Sequence, residues 1–171
     1  MKLDDLINHS SEWLKGSGPN SDIVISSRIR LARNLDKIPF PHWANKKQSE
    51  GVLNTITEAA GKVDYLKVTT TFKLADLDSV DKQLLIERHL MSYEHGQRAD
   101  QKAVTIDDEE ILSIMINEED HIRMQVMQSG FNLFEAWNII NKIDDSLAKE
   151  LNFSFLAYWG YLTACPTNTG T

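Results

Sequence analysis

With one cysteine among 171 residues, the chain has no means of closing an internal disulfide, and Cys165 is either a small buried apolar residue or a site group. Cations are scarce: 18 Lys and Arg face 25 Asp and Glu. The net charge of −7 leaves no electrostatic footprint for nucleic acid or an anionic membrane. No apolar run approaches the roughly 20 residues that span a bilayer. The first residues are acidic and amphipathic, unlike a secretory signal. Histidines lack metal-ligand spacing, so His9, His42 and His95 read as surface or loop residues and no protein-held metal is expected. Repeats and low-complexity tracts are missing as well. What remains, with 42% hydrophobic residues, suits one core and is short for two. The expectation is a soluble cytoplasmic domain, in keeping with a reducing compartment.

The densest chemistry lies in Asn117-Glu118-Glu119-Asp120-His121-Ile122-Arg123, directly after the β-branched run Ile111 to Ile116. Such a run reads as a strand. If the strand continues, alternation sends Glu119, His121 and Arg123 to one face and Glu118, Asp120 and Ile122 to the other. Glu119 and Arg123 would then stand about 13 Å apart, too far for an ion pair. That separation suits a cationic acceptor at one end and a polyphosphate at the other. An acidic run of this kind is more often a solvated turn, and His121 is equally well a satisfied structural imidazole.

A second segment, Asp22 to Asn34, alternates Ile23, Ile25, Ile29 and Leu31 against Ser26, Arg28 and Arg30. Two guanidiniums about 7 Å apart on one strand face match the oxygens of a di- or triphosphate. The commoner fate of an Arg-x-Arg pair is the charged outer face of a half-buried strand. Near the other end, Cys165 and Pro166 mark a strand leaving the core for a loop.

Along the rest of the chain, Met1 to Gly16 reads as an amphipathic helix carrying Leu3, Leu6, Ile7, Trp13 and Leu14. Helices are expected over Lys46–Gly61 with Val52, Leu53, Ile56 and Ala60 inward, over Ser79–Leu90, and over Leu133–Leu151 with Leu133, Trp137, Ile140, Leu147 and Leu151 inward. Asn132 and Glu135 form an approximate capping box for the last. Tyr65–Leu74 and Ala103–Ile106 read as strands, and Asp107 to Glu110 as a solvated hairpin end. Trp137, Phe153, Phe155, Tyr158 and Trp159 read as core and sheet-face residues rather than a nucleotide platform. The order predicts an α+β domain with a largely antiparallel sheet flanked by helices.

Four pieces in order, Ser26 to Asn34, Glu87 to Ser92, Asn117 to Arg123 and Gly160 to Asn168, resemble the ATP:guanidino phosphotransferase (phosphagen kinase) family, and within it the bacterial protein-arginine kinase branch. The resemblance runs from about residue 20 onward. It implies that Ser27, Arg28, Arg30, His89 and Arg123 contact the nucleotide, that Glu119 binds and deprotonates the guanidinium, and that Cys165 packs against the same group. ATP and Mg²⁺ are the implied cofactors. Glu118 and Asp120 receive no catalytic role. The family's catalytic domain continues past Thr171 into another arginine-bearing segment and a loop with a second carboxylate. The chain, 1–171, is therefore expected to be its first half, with 1–20 a helix and turn and 21–171 the catalytic portion.

Only segment 1–20 precedes the first arginine strand, which favours arginine in a protein over a small free guanidine. The resemblance implies arginine-bearing protein substrates, with a stress protease and a heat-shock repressor as partners. A non-catalytic remnant or nucleotide-binding module of the family is the alternative. A half-sheet is expected to be marginally stable or to self-associate.

Overall fold

Strand alternation decides which side of the central sheet carries charge and which carries core. The computed structural model describes Leu3, Leu6 and residues 10–170. Its main sheet has the order β1-β5-β4-β3-β2, antiparallel throughout, from β1 (Ser26–Arg33), β2 (Thr70–Lys73), β3 (Ala103–Ile106), β4 (Leu112–Ile116) and β5 (Ile122–Ser129). A two-stranded ribbon joins β6 (Phe155–Leu156) to β7 (Gly160–Tyr161). The helices are α1 (Lys46–Lys62), α2 (Ser79–Glu87), α3 (Tyr93–Gln97) and α4 (Leu133–Glu150). This is the α+β, largely antiparallel architecture expected.

One face of the sheet is covered by α1 and α4. Leu31, Ile114, Ile122, Met124 and Val126 meet Val52, Ile56, Ile140, Ile143 and Leu147 in one buried cluster. The opposite face carries a smaller core, in which Leu6, Leu74, Leu85, Leu90 and Met91 pack on Val104, Ile106 and Met115. Burying both faces explains why every residue of β4 is buried and why that strand reads as a continuous apolar run. The helix α1 begins where Asn45 and Gln48 form a reciprocal capping box.

Several sequence expectations are corrected. The arginine strand starts only at Ser26, leaving Ile23 and Ile25 exposed, because the Ile23 and Val24 N–H groups donate to the Asn20 carbonyl in a turn instead of extending the strand, and residues 18–20 cross the end of β5. Phe131 N–H donates to the Pro19 carbonyl there at 2.7 Å, and Gly130, at φ +67°, leaves no room for a Cβ against that carbonyl. Tyr65–Leu74 is not one strand: 3₁₀ turns at Asp64–Val68 and Leu74–Asp76 flank the short β2. Helix α2 ends at Glu87, with His89 in the left-handed region at φ 60°. The inward face of α4 is Ala136, Ile140, Ile143 and Leu147, so Trp137 stays 44% exposed, and Asn132 bonds Gln128 rather than capping the helix. Phe153 packs on the core, but Phe155, Tyr158 and Trp159 are exposed on the ribbon.

Three polar residues expected at the surface, His95, Asp107 and Glu110, are buried. His95 is fully buried, not a surface histidine, with Nε2 at 3.0 Å from the Ala103 carbonyl. The Asp107 to Glu110 turn is only partly solvated. Glu110 is buried in an ion pair with Arg88, and Asp107 accepts from Leu112 N–H. The N-terminal helix lies mostly outside the described residues. Leu3 and Leu6 are helical, and a 3₁₀ turn covers Glu12–Leu14. Among the described residues no helix is long and apolar enough to cross a membrane.

Candidate functional site

Pairing register gathers the cations. Arg28 opposes Met127, Arg30 opposes Gln125 and Ala32 opposes Arg123, and opposed residues of an antiparallel pair share a face. Arg28, Arg30 and Arg123 therefore leave the sheet on the side away from α1 and α4. They line one cleft of ≈ 580 Å³ together with His89, Ser92 and Asn168. Crowding shows in their acidity: partial burial and then the charges of Arg28 and Arg123 lower the Arg30 value, with Glu118 opposing. Trp13 meets the His89 ring edge-on at 5.3 Å, and Gln125 donates to the His89 carbonyl, which holds this residue in its left-handed conformation.

The acidic segment is a turn, not a continued strand. Asn117 takes φ 60°, a conformation asparagine tolerates, and its N–H donates to the His121 carbonyl at 3.0 Å, closing the β4–β5 hairpin. The 13 Å separation expected along an extended strand is thus replaced by contact: Arg123 Nη1 lies 3.2 Å from Glu119 and 2.7 Å from Glu118, and Nε lies 3.9 Å from Asp120. Burial works against the Arg123 charge, but the Glu118 hydrogen bond and the three carboxylates outweigh it and raise its value.

Glu118, expected on the opposite face with no site role, stands at the centre of the turn. Its carboxylate accepts from Arg123, from the Glu119 N–H at 3.0 Å and from Ser92 Oγ at 2.8 Å. Burial alone would raise its carboxyl, yet these donors lower it. Asp120 is fully buried and accepts at 2.7 Å from both Asn34 Nδ2 and Ala164 N–H, tying the turn to the end of β1 and to the Cys165 loop. His121 is structural: Nδ1 accepts from Leu35 N–H, so the proton sits on Nε2, which donates to the Pro39 carbonyl. It orients neither Glu119 nor Arg123.

Glu119 opens into a neighbouring cavity of ≈ 1100 Å³ with Asn117, Glu118, Arg98 and Lys102. Arg123 lines both cavities and joins them. Two expected site residues do not join. Ser27 has the opposite strand parity from the arginines and is buried, its hydroxyl donating to the Gly130 carbonyl and accepting from Asn132 N–H. Cys165 is half-buried with Sγ 2.9 Å from Thr167 Oγ1 and lines neither cavity, although Ala164 beside it is anchored to Asp120. Among the described residues no group of three or more His, Cys, Asp or Glu is arranged to hold a metal ion.

Residues 46–171 match the family described as ATP:guanido phosphotransferase, C-terminal catalytic domain. The chain is 48% identical to the protein-arginine kinase of Halothermothrix orenii, covering 100% of this chain and 49% of that protein. Identity to the protein-arginine kinase of Symbiobacterium thermophilum is 43%, covering 100% and 50%. The chain thus spans about half the length of the curated relatives it matches. In fold it resembles the duplicated taurocyamine kinase of Schistosoma mansoni, with TM-score 0.83, 22% identity, and coverage of 91% of this chain and 23% of that one. Lombricine kinase gives TM-score 0.81, 23% identity, and coverage of 95% and 50%.

Proposed function

The chain belongs to the ATP:guanido phosphotransferase family, and on that premise we propose that its paired cavities serve ATP-dependent phosphorylation of arginine side chains in proteins. The observation that carries the reading is Arg123, which lines the basic cleft with Arg28, Arg30 and His89 and at the same time contacts Glu119 in the second cavity. Phosphates in the first cavity and a guanidinium in the second would meet at that residue.

In this reading Arg28, Arg30 and Arg123 clamp the phosphate oxygens, for which their forks are suited, and His89 adds a contact from the end of α2. Glu119 orients the acceptor guanidinium. A protonated guanidinium is no nucleophile, so one N–H proton passes to the Glu119 carboxylate as that nitrogen attacks the γ-phosphorus. The P–O bond to ADP breaks as the N–P bond forms, and positioning and charge neutralisation carry most of the effect. Glu118 positions Arg123 and the Glu119 backbone. Magnesium enters this reading as part of the substrate Mg-ATP, and no step is routed through it. Cys165 would approach the guanidinium only if its loop swings on the Asp120 anchor. Residues 21–171 are read as the first half of the catalytic domain, acting in the cytoplasm on arginine-bearing proteins. A stress protease and a heat-shock repressor are the proposed partners.

The test is incubation of the chain with Mg-ATP and an arginine-bearing protein, followed by mass spectrometry for acid-labile phosphoarginine, with Glu119→Gln in parallel. Modification that Glu119→Gln abolishes is expected. Modification undiminished in the variant removes Glu119 from the mechanism, and none in the unaltered chain leaves the non-catalytic reading.

A further inference from the structure

The cavity beside Glu119 is larger than one guanidinium needs, and its lining also carries charge of the opposite sign. Arg98, the residue just after α3, and Lys102, just before β3, both line it. Arg98 is exposed and Lys102 half-buried. The Lys102 carbonyl accepts from Leu74 N–H at 3.0 Å, which fixes the backbone from which the ammonium projects. Among the described residues no carboxylate lies within ion-pair distance of either cation, whereas Arg123 in the same cavity has three.

Burial lowers the Lys102 value, Glu118 opposes that and Arg98 adds to it, so these groups lie within electrostatic reach of one another. A cation held partly out of water without a counter-ion is unfavourable, and an arriving anion relieves it. Asn117, which is 4% exposed, lines the same cavity. Its Nδ2 donates to the carbonyls of Ser49 and Gln101, both at 2.8 Å, while its Oδ1 is buried without a partner.

The cavity lining therefore holds both carboxylates that suit a guanidinium and, among the described residues, two cations with no carboxylate in ion-pair distance. We propose that Arg98 and Lys102 form an anion subsite of the acceptor groove, taking an acidic side chain that flanks the arginine presented to Glu119. The inference rests on reading Glu119 as the guanidinium-binding carboxylate. Glu94 and Asp100, exposed on the same lining, repel further negative charge, so one acidic neighbour is favoured over an acidic tract.

The experiment is fluorescence anisotropy of the 171-residue chain with two fluorescein-labelled peptides of Gly, Ser and a single Arg, one with Asp beside the Arg and one with Asn there. The Asp peptide is expected to bind about fivefold tighter at low salt, as a partly screened ion pair allows. That advantage should vanish in Lys102→Met, and Lys102→Glu should turn it toward a peptide with Lys in place of Asp. Equal affinities on the unaltered chain, binding of neither peptide, or an advantage undiminished in Lys102→Met would overturn the subsite. The peptide comparison on the unaltered chain needs no variant to fold and no turnover. Phosphoarginine formed without an Asp preference sinks the subsite alone, and an Asp preference without phosphoarginine sinks catalysis alone.

Discussion

Replacing Glu118 by Gln isolates the charge of the carboxylate that holds Arg123 and the Glu119 backbone together. Gln keeps the shape: its carbonyl can still accept from Arg123 and the Glu119 N–H, and its amide can donate to Ser92 Oγ, where the carboxylate accepted at 2.8 Å. What disappears is charge assistance to Arg123 across 2.7 Å. A hydrogen bond between ionised partners exceeds a neutral one by about 1–2 kcal/mol. The lower end applies here, because the Arg123 side chain is 21% exposed and water screens it. For a domain of this size that corresponds to a fall in Tm of roughly 2–4 °C. The pH dependence gives the sharper check. The folded-state value of Glu118 is lowered, so its contribution is present above the ordinary carboxylate range and lost as pH falls through the folded value. Thermal melts of both proteins should differ at neutral pH and converge in acid. A gap that stays constant down to the acid limit of folding, or no gap at neutral pH, would refute the charge argument.

Asp120→Ala leaves the Asn34 amide and the Ala164 N–H without their shared acceptor. A loss of about 2–4 kcal/mol in a urea melt is expected, with faster hydrogen exchange at Ala164, and unchanged protection there would contradict the anchor. Burial pushes His95 down to about 4 and Asp107 up to about 6. The neutral imidazole contributes stability above 6.5 that is lost as pH falls toward about 4, whereas the Asp107 contribution is lost as pH rises through about 6. The two slopes oppose each other between these values. In Asp107→Asn the opposing slope is removed, so urea midpoints rise more steeply with pH than in the unaltered chain, and identical slopes would count against the Asp107 assignment.

Local signals located the regular elements well. Ala103–Ile106 is a strand at the predicted bounds, α1 and α4 lie within a residue of theirs, and the period-2 pattern put Arg28 and Arg30 on the face they occupy. The acidic segment failed for a specific reason: alternation was carried through Asn117, although asparagine accepts the left-handed conformation that ends a strand. That single turn moved Glu118 from the wrong face to the centre of the site. Trp137 and the ribbon aromatics were drawn inward by hydrophobicity alone, while burial in α4 follows the narrower stripe of Ala136, Ile140, Ile143 and Leu147. His95 and Glu110 depend on tertiary partners, the Ala103 carbonyl and Arg88, and nothing in their local sequence announces them. The family motifs named Ser27, but strand parity alone was enough to separate it from the arginines.

Titration calorimetry with Mg-ADP tests most directly whether the basic face is a phosphate clamp. Arg30→Ala and Arg123→Ala should each weaken binding by roughly tenfold or more, as the loss of one charge-assisted contact to phosphate implies. Ser27→Ala, altered on the opposite face, should leave the affinity within about twofold once its fold is verified. Full affinity in both arginine variants, or no measurable binding by the unaltered chain, would contradict the account.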